Sequence, residues 1–93
     1  MTRDKATRAH LGRMAESGCI CCHLMHGSFS AAQIHHPRQF AGGGQRCDDW
    51  LAFGLCADCH QGRNGVHGDK TYLRILNMDE AQLLAAALRR VYG

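Results

Sequence analysis

The sequence predicts a small α+β domain, and three observations predict it. Two short strand-like runs, AAQIHH at 31–36 and WLAFGL at 50–55, lie in the middle of the chain. Helical patterns stand at either end. Two Cys-x-x-Cys pairs flank the two strand-like runs: Cys19/Cys22 precede AAQIHH, and Cys56/Cys59 follow WLAFGL directly.

The N-terminal pattern spans 4–17. Asp4 is placed to cap it, Ala6, Ala9, Met14 and Ala15 are good helix residues, and Gly18 is a natural stop. Its Arg3, Lys5, Arg8 and Arg13 read as a solvated face. CICC, Cys19 to Cys22, reads as a tight turn. Strand character around Ile34 ends at Pro37, which cannot donate to a ladder. PRQFAGGGQR is a loop whose Gly42–Gly44 run permits close backbone approach. WLAFGL leads directly into CADCH, and Trp50 and Phe53 read as core. HQGRNGVHG, with Gly62, Gly65 and Gly68, reads as a loop or broken helix. At the end of the chain, Asn77 and Glu80 resemble a capping box, and Leu83, Leu84, Ala87, Leu88 and Val91 recur at helical spacing. The expected organisation is one domain over 1–93: an N-terminal helix to 18, a metal-bearing centre over 19–68, and a helical segment over 69–93.

The composition is that of a globular chain, 45% hydrophobic and 20% charged over 93 residues. Six cysteines and seven histidines are the anomaly. The first residues contain no apolar stretch of signal-peptide type, and no run approaches the roughly 18 apolar residues of a membrane span. Both point to the cytoplasm, where structural disulfides are rare and paired cysteines read as metal ligands or redox thiols. Two Cys-x-x-Cys turns can present four sulfurs to one tetrahedral zinc ion, a structural site with no open position. Its binding energy would become folding energy in a domain with a modest core. Cys21 competes with Cys22 for the register, and Cys47 reads as a spare thiol. Two other readings of CADCH are weaker. A c-type haem would leave Cys19 and Cys22 unexplained, and a thioredoxin-like dithiol would need alternating strands and helices. The formal charge of +3 falls to about +1 once four thiolates and one Zn²⁺ are included, so net charge alone does not indicate nucleic acid.

The histidines suggest a second chemistry. His35 and His36 are adjacent at a strand end, where alternation turns their rings apart. One can then hold a metal while the other faces a water. Phosphodiester hydrolysis needs that division: a base of ordinary histidine pKa, and charge stabilisation at the phosphate.

The order Cys-x-x-Cys, His-His, Cys-x-x-Cys-His and a later His resembles an HNH nuclease of the ββα-metal type. More narrowly, CICC, IHHPRQFAGG, LCADCHQG, GVHGDK and LNMDEAQLLAAAL resemble the phage recombination-enhancement nucleases that act with RecA. The likeness covers roughly 19–88. It implies a zinc-braced ββα-metal domain with flanking N- and C-terminal helices, acting as a metal-dependent DNA endonuclease. It implies His36 as general base, and His35, His60 and His67 as ligands of one catalytic divalent ion, often Mg²⁺. It further implies Cys19, Cys22, Cys56 and Cys59 as the structural zinc site, with DNA and the RecA filament as partners. The middle Asn of the HNH pattern is missing between His36 and Cys56; Asp48 or Asp49 would take its orienting role. Arg38, Arg46, Arg63 and Lys70 surround the histidines in sequence and are candidates for phosphate contacts. The competing reading is a non-catalytic zinc module that binds nucleic acid or protein.

Overall fold

The computed structural model describes residues 4–38 and 47–93. Arg46 and the Gly42–Gly44 run lie outside them. Among the described residues are five α-helices and a two-stranded sheet.

Helix α1, Lys5–Glu16, begins as the sequence predicts. The Asp4 carboxylate accepts from the Thr7 backbone N–H at 2.7 Å, which satisfies one of the N–H groups a helix start leaves unpaired. Gly18, at φ +84, turns the chain out of the helix. The CICC stretch is more than a turn. Cys19 caps helix α2, Ile20–His26, and Gly27 ends it in the left-handed conformation. The sequence reading missed α2, because seven residues are too few to display a helical period.

Strand β1, Gln33–His35, pairs antiparallel with β2, Phe53–Leu55, with Ile34 opposite Gly54. Gly54 sits beneath α1. A Cβ there would lie 2.9 Å from the Gly18 carbonyl oxygen and 3.0 Å from that of Met14, so only glycine lets the helix approach this closely. A single 3-10 turn at Asp49–Leu51 precedes β2, capped by the Asp48 carboxylate on the Trp50 N–H. Trp50 is therefore not core: it is 43% exposed, with its indole N–H donating to the Thr7 hydroxyl. Phe53 is fully buried.

Helix α3, Ala57–Gln61, follows β2 directly. Helices α4, Thr71–Leu76, and α5, Glu80–Tyr92, complete the chain. The capping box is real but two residues later than the sequence suggested. Asp79 caps α5 and exchanges hydrogen bonds with Gln82, while Asn77 closes α4 at φ 54. Leu83, Leu84 and Ala87 are buried, and Leu88 and Val91 pack against them. The core joins these residues to Met14, Ile20, Phe53, Leu55, Val66 and Leu73, so every helix but the short α3 contributes an apolar side chain other than cysteine. No described helix is long and apolar enough to cross a membrane.

Candidate metal centres

Two groups of metal-ligand side chains converge among the described residues: Cys19, Cys22, Cys56 and Cys59, and separately His35, His60 and His67. Within each group the candidate ligand atoms lie within 4.8 Å of one another.

The cysteine group is built from two equivalent pieces. In each, the first cysteine has extended backbone and caps a helix, and the second lies in that helix's first turn. The first sulfur accepts the second residue's backbone N–H at 3.4 Å in both, Cys19 from Cys22 and Cys56 from Cys59. Cys-x-x-Cys at a helix start thus sends two sulfurs in one direction. The pairing of β1 with β2 and the packing of α2 beside β2 bring the pieces together. The Cys22 sulfur lies 3.7 Å from that of Cys56 and 3.8 Å from that of Cys59. A tetrahedron with Zn–S bonds of about 2.3 Å has edges of about 3.8 Å. The four cysteines are therefore positioned for zinc.

The electrostatics agree. Burial, together with the crowding of the other sulfurs, pushes the Cys59 thiol far up, and burial raises Cys19 as well. Cys56 also pays for burial, but hydrogen bonds from the Cys59 N–H and the surrounding thiols outweigh it and lower its pKa. Without a cation, such a cluster cannot ionise throughout; a divalent ion supplies the compensating charge and displaces the protons. Cys21 resolves the register question. It is buried outside the group, and burial, reinforced by Cys19 and Cys22, pushes its thiol up to about 12. It behaves as a small core residue.

The histidine group is separate from the cysteine group. His35, 1% exposed at the end of β1, packs edge-on against His60 and His67, with ring centroids 5.0 and 5.2 Å away. His60 comes from α3. His67 arrives by a close-wound turn: the Val66 N–H donates to the Cys59 carbonyl and the His67 N–H to the His60 carbonyl. Gly65 makes this possible, since a Cβ there would lie 2.5 Å from the Cys59 carbonyl oxygen. The seven-residue step from His60 to His67 is thus a coil folded back over the helix. Their Nε2 atoms end 3.2 Å apart. Two nitrogens sharing an ion at bonds of about 2.0–2.2 Å would stand roughly 2.8–3.6 Å apart. Burial, helped by His35 and the facing ring, lowers the His60 pKa. Burial, His35 and Arg38 lower that of His67. Both rings are held toward the neutral form, the form that offers a lone pair. The donor set fits a divalent ion. Three neutral imidazoles leave its charge uncompensated, which favours an anionic oxygen such as phosphate in the remaining positions.

His36 faces elsewhere. Its Nε2–H donates to the Asp49 carboxylate at 2.8 Å, with both side chains largely buried. Asp49, and not the turn-capping Asp48, is the carboxylate bonded to His36. That bond leaves Nδ1 as the nitrogen able to take a proton.

Of the candidate phosphate contacts, Arg38, Arg63 and Lys70 are exposed. Arg38 and Lys70, together with Arg74, line an open cavity of about 790 Å³ that reaches Glu80. Arg74, which the sequence reading did not single out, has its guanidinium on the Asp69 carbonyl and the Thr71 hydroxyl.

The fold and these centres define a class: a small α+β protein with a four-cysteine cluster positioned for zinc and a separate three-histidine cluster. The chain has no significant match to any protein-family model, curated protein or solved structure.

Proposed function

We propose that this protein is a metal-dependent DNA endonuclease of the HNH type, braced by a structural zinc ion on Cys19, Cys22, Cys56 and Cys59. The observation that carries the reading is the pairing of two devices on consecutive residues. His35 joins His60 and His67 in a cluster of three imidazoles, and His36 is held by a carboxylate. A structural site has no use for an oriented histidine beside it, whereas hydrolysis of a phosphodiester needs a base. The succession of β1, β2 and α3 around the three-histidine cluster also agrees with a ββα-metal motif.

His35, His60 and His67 would hold the divalent ion, Mg²⁺ or another. That ion would polarise the scissile phosphate and stabilise the departing oxygen. Asp49 keeps the proton on His36 Nε2, so Nδ1 accepts a proton from the attacking water. The imidazolium that results is stabilised by the same carboxylate. Arg38, Arg63 and Lys70 provide positive charge for the flanking phosphates, and Arg46 adds to it in sequence. In the narrower form of the proposal the substrate is a duplex engaged by a RecA filament, and the compartment is the cytoplasm.

The test is cleavage of supercoiled plasmid by zinc-loaded protein with Mg²⁺ or Mn²⁺, against a lane without added metal. RecA-coated single strands paired to a duplex form a parallel substrate. Cleavage should depend on the added ion, fall about 10²- to 10⁴-fold in His36→Ala, and fall less in Asp49→Asn. Full activity in His36→Ala would refute the mechanism. Absence of cutting on both substrates by folded, zinc-loaded protein would favour a zinc module that only binds.

A further inference from the structure

We infer that Glu80 and Gln33 are the positioning residues of the three-histidine site, each fixing the proton on one ring so that its other nitrogen faces the ion. The inference rests on the divalent-ion reading of that site and deepens it.

The Glu80 carboxylate accepts from His35 Nε2 at 2.8 Å, and the same oxygen accepts the Arg38 backbone N–H at 3.0 Å. Glu80 is 7% exposed in the first turn of α5, a position where a helix surface normally carries its charge in water. Burying a carboxylate is costly unless it is paired and hydrogen-bonded. Here both partners come from β1 and the residues just after it. Glu80 is not among the residues whose ligand atoms converge on the site. It stands behind His35. Since a carboxylate only accepts, His35 must carry its proton on Nε2, and Nδ1 is left with the lone pair.

Gln33 performs the same task for His60. Its Oε1 accepts from His60 Nδ1 at 2.9 Å, which leaves the lone pair on Nε2, the atom that faces His67. Gln33 and His35 lie on the same face of β1, two residues apart. One short strand therefore supplies a ligand and a support for a second ligand, and α5 supports the first. Metal-bound histidines commonly donate their other ring N–H to such partners, and loss of the partner costs about 10- to 100-fold in metal affinity. This gives the capping sequence of α5 a second purpose. The helix starts where it does with Asp79 as cap, so that the next residue reaches His35.

The experiment is titration of zinc-loaded protein with Mn²⁺, followed by electron paramagnetic resonance well below the unfolding temperature. Zinc content and circular dichroism are measured in parallel. Wild type should bind one Mn²⁺ that His35→Ala abolishes or greatly weakens. Glu80→Ala should weaken binding about 10- to 100-fold. Glu80→Gln, whose amide oxygen can still accept from His35, should recover most of it. In a His35→Ala background, Glu80→Ala should have no further effect on Mn²⁺, because the residue acts through that ring. If Glu80→Ala does not fold, Gln33→Ala, a change at an exposed residue, provides the same test through His60. Undiminished affinity in folded Glu80→Ala or in Gln33→Ala would overturn the inference while leaving the metal site standing. A wild type that binds no Mn²⁺ would overturn the site itself.

Discussion

Replacing single cysteines by serine should separate the four ligands from the two bystanders. The sulfur separations of 3.7 and 3.8 Å correspond to a central ion about 2.3 Å from each sulfur, the Zn–S bond length. Structural zinc contributes about 10–16 kcal/mol of apparent binding energy in small domains. Divided over four thiolates, one ligand carries roughly 2.5–4 kcal/mol. A domain of about 90 residues loses about 4–8 °C in melting temperature per kcal/mol, so Cys56→Ser or Cys59→Ser should lower it by roughly 10–30 °C. Cys21→Ala removes one buried sulfur outside the group. It should cost about 1 kcal/mol, less than 10 °C, and keep its zinc. Cys47→Ser should keep its zinc as well. The assay is thermal unfolding by circular dichroism together with zinc release to a colorimetric chelator. One zinc per chain in both Cys56→Ser and Cys59→Ser would refute the four-cysteine site. Loss of zinc in Cys21→Ala would refute the choice of Cys22 over Cys21.

Two further outcomes follow from the core. His10 is fully buried, stacked on Trp50 with ring centroids 4.2 Å apart, and bonded through Nδ1 to the Tyr92 hydroxyl; burial lowers its pKa below the ordinary 6.5. The unfolded chain therefore takes up a proton before the folded one does. Stability from this residue is complete above pH 6.5 and is lost as pH falls from 6.5 through the folded value. His10→Phe should show a smaller drop in melting temperature between pH 7.5 and 5.5 than wild type, and an equal drop would refute the assignment. Leu83 is fully buried in the central cluster. Leu83→Ala should cost about 2–5 kcal/mol in urea unfolding with zinc retained, and a cost below 1 kcal/mol would mean that α5 does not seal the core.

Much of the four-cysteine cluster was legible in the sequence because it is local. Cys-x-x-Cys presents two sulfurs together whatever the remainder of the chain does, and Asp4, Gly18 and the Leu83–Val91 period act within one helix. Strands around Ile34 and Phe53 were visible for the same reason. What failed was also local but too short. Helix α2 has no room for a period, and the residues before α5 offered two overlapping capping patterns, of which Asp79 with Gln82 prevailed. Trp50 was expected in the core because its size suggests burial, but the 3-10 turn at Asp49–Leu51 leaves it half-exposed over α1.

The amino-acid sequence by itself determined the two cysteine knuckles and the amphipathic last helix, since these depend on neighbours a few residues apart. Only the tertiary structure decided which groups meet across long stretches of chain. Asp49 rather than Asp48 reaches His36, Cys22 rather than Cys21 completes the sulfur cluster, and Glu80 from the last helix lies behind His35, 45 residues away. No periodicity encodes such meetings. They are set by strand pairing and helix packing, which close the chain into one core and leave each buried polar group to find the partner that remains within reach.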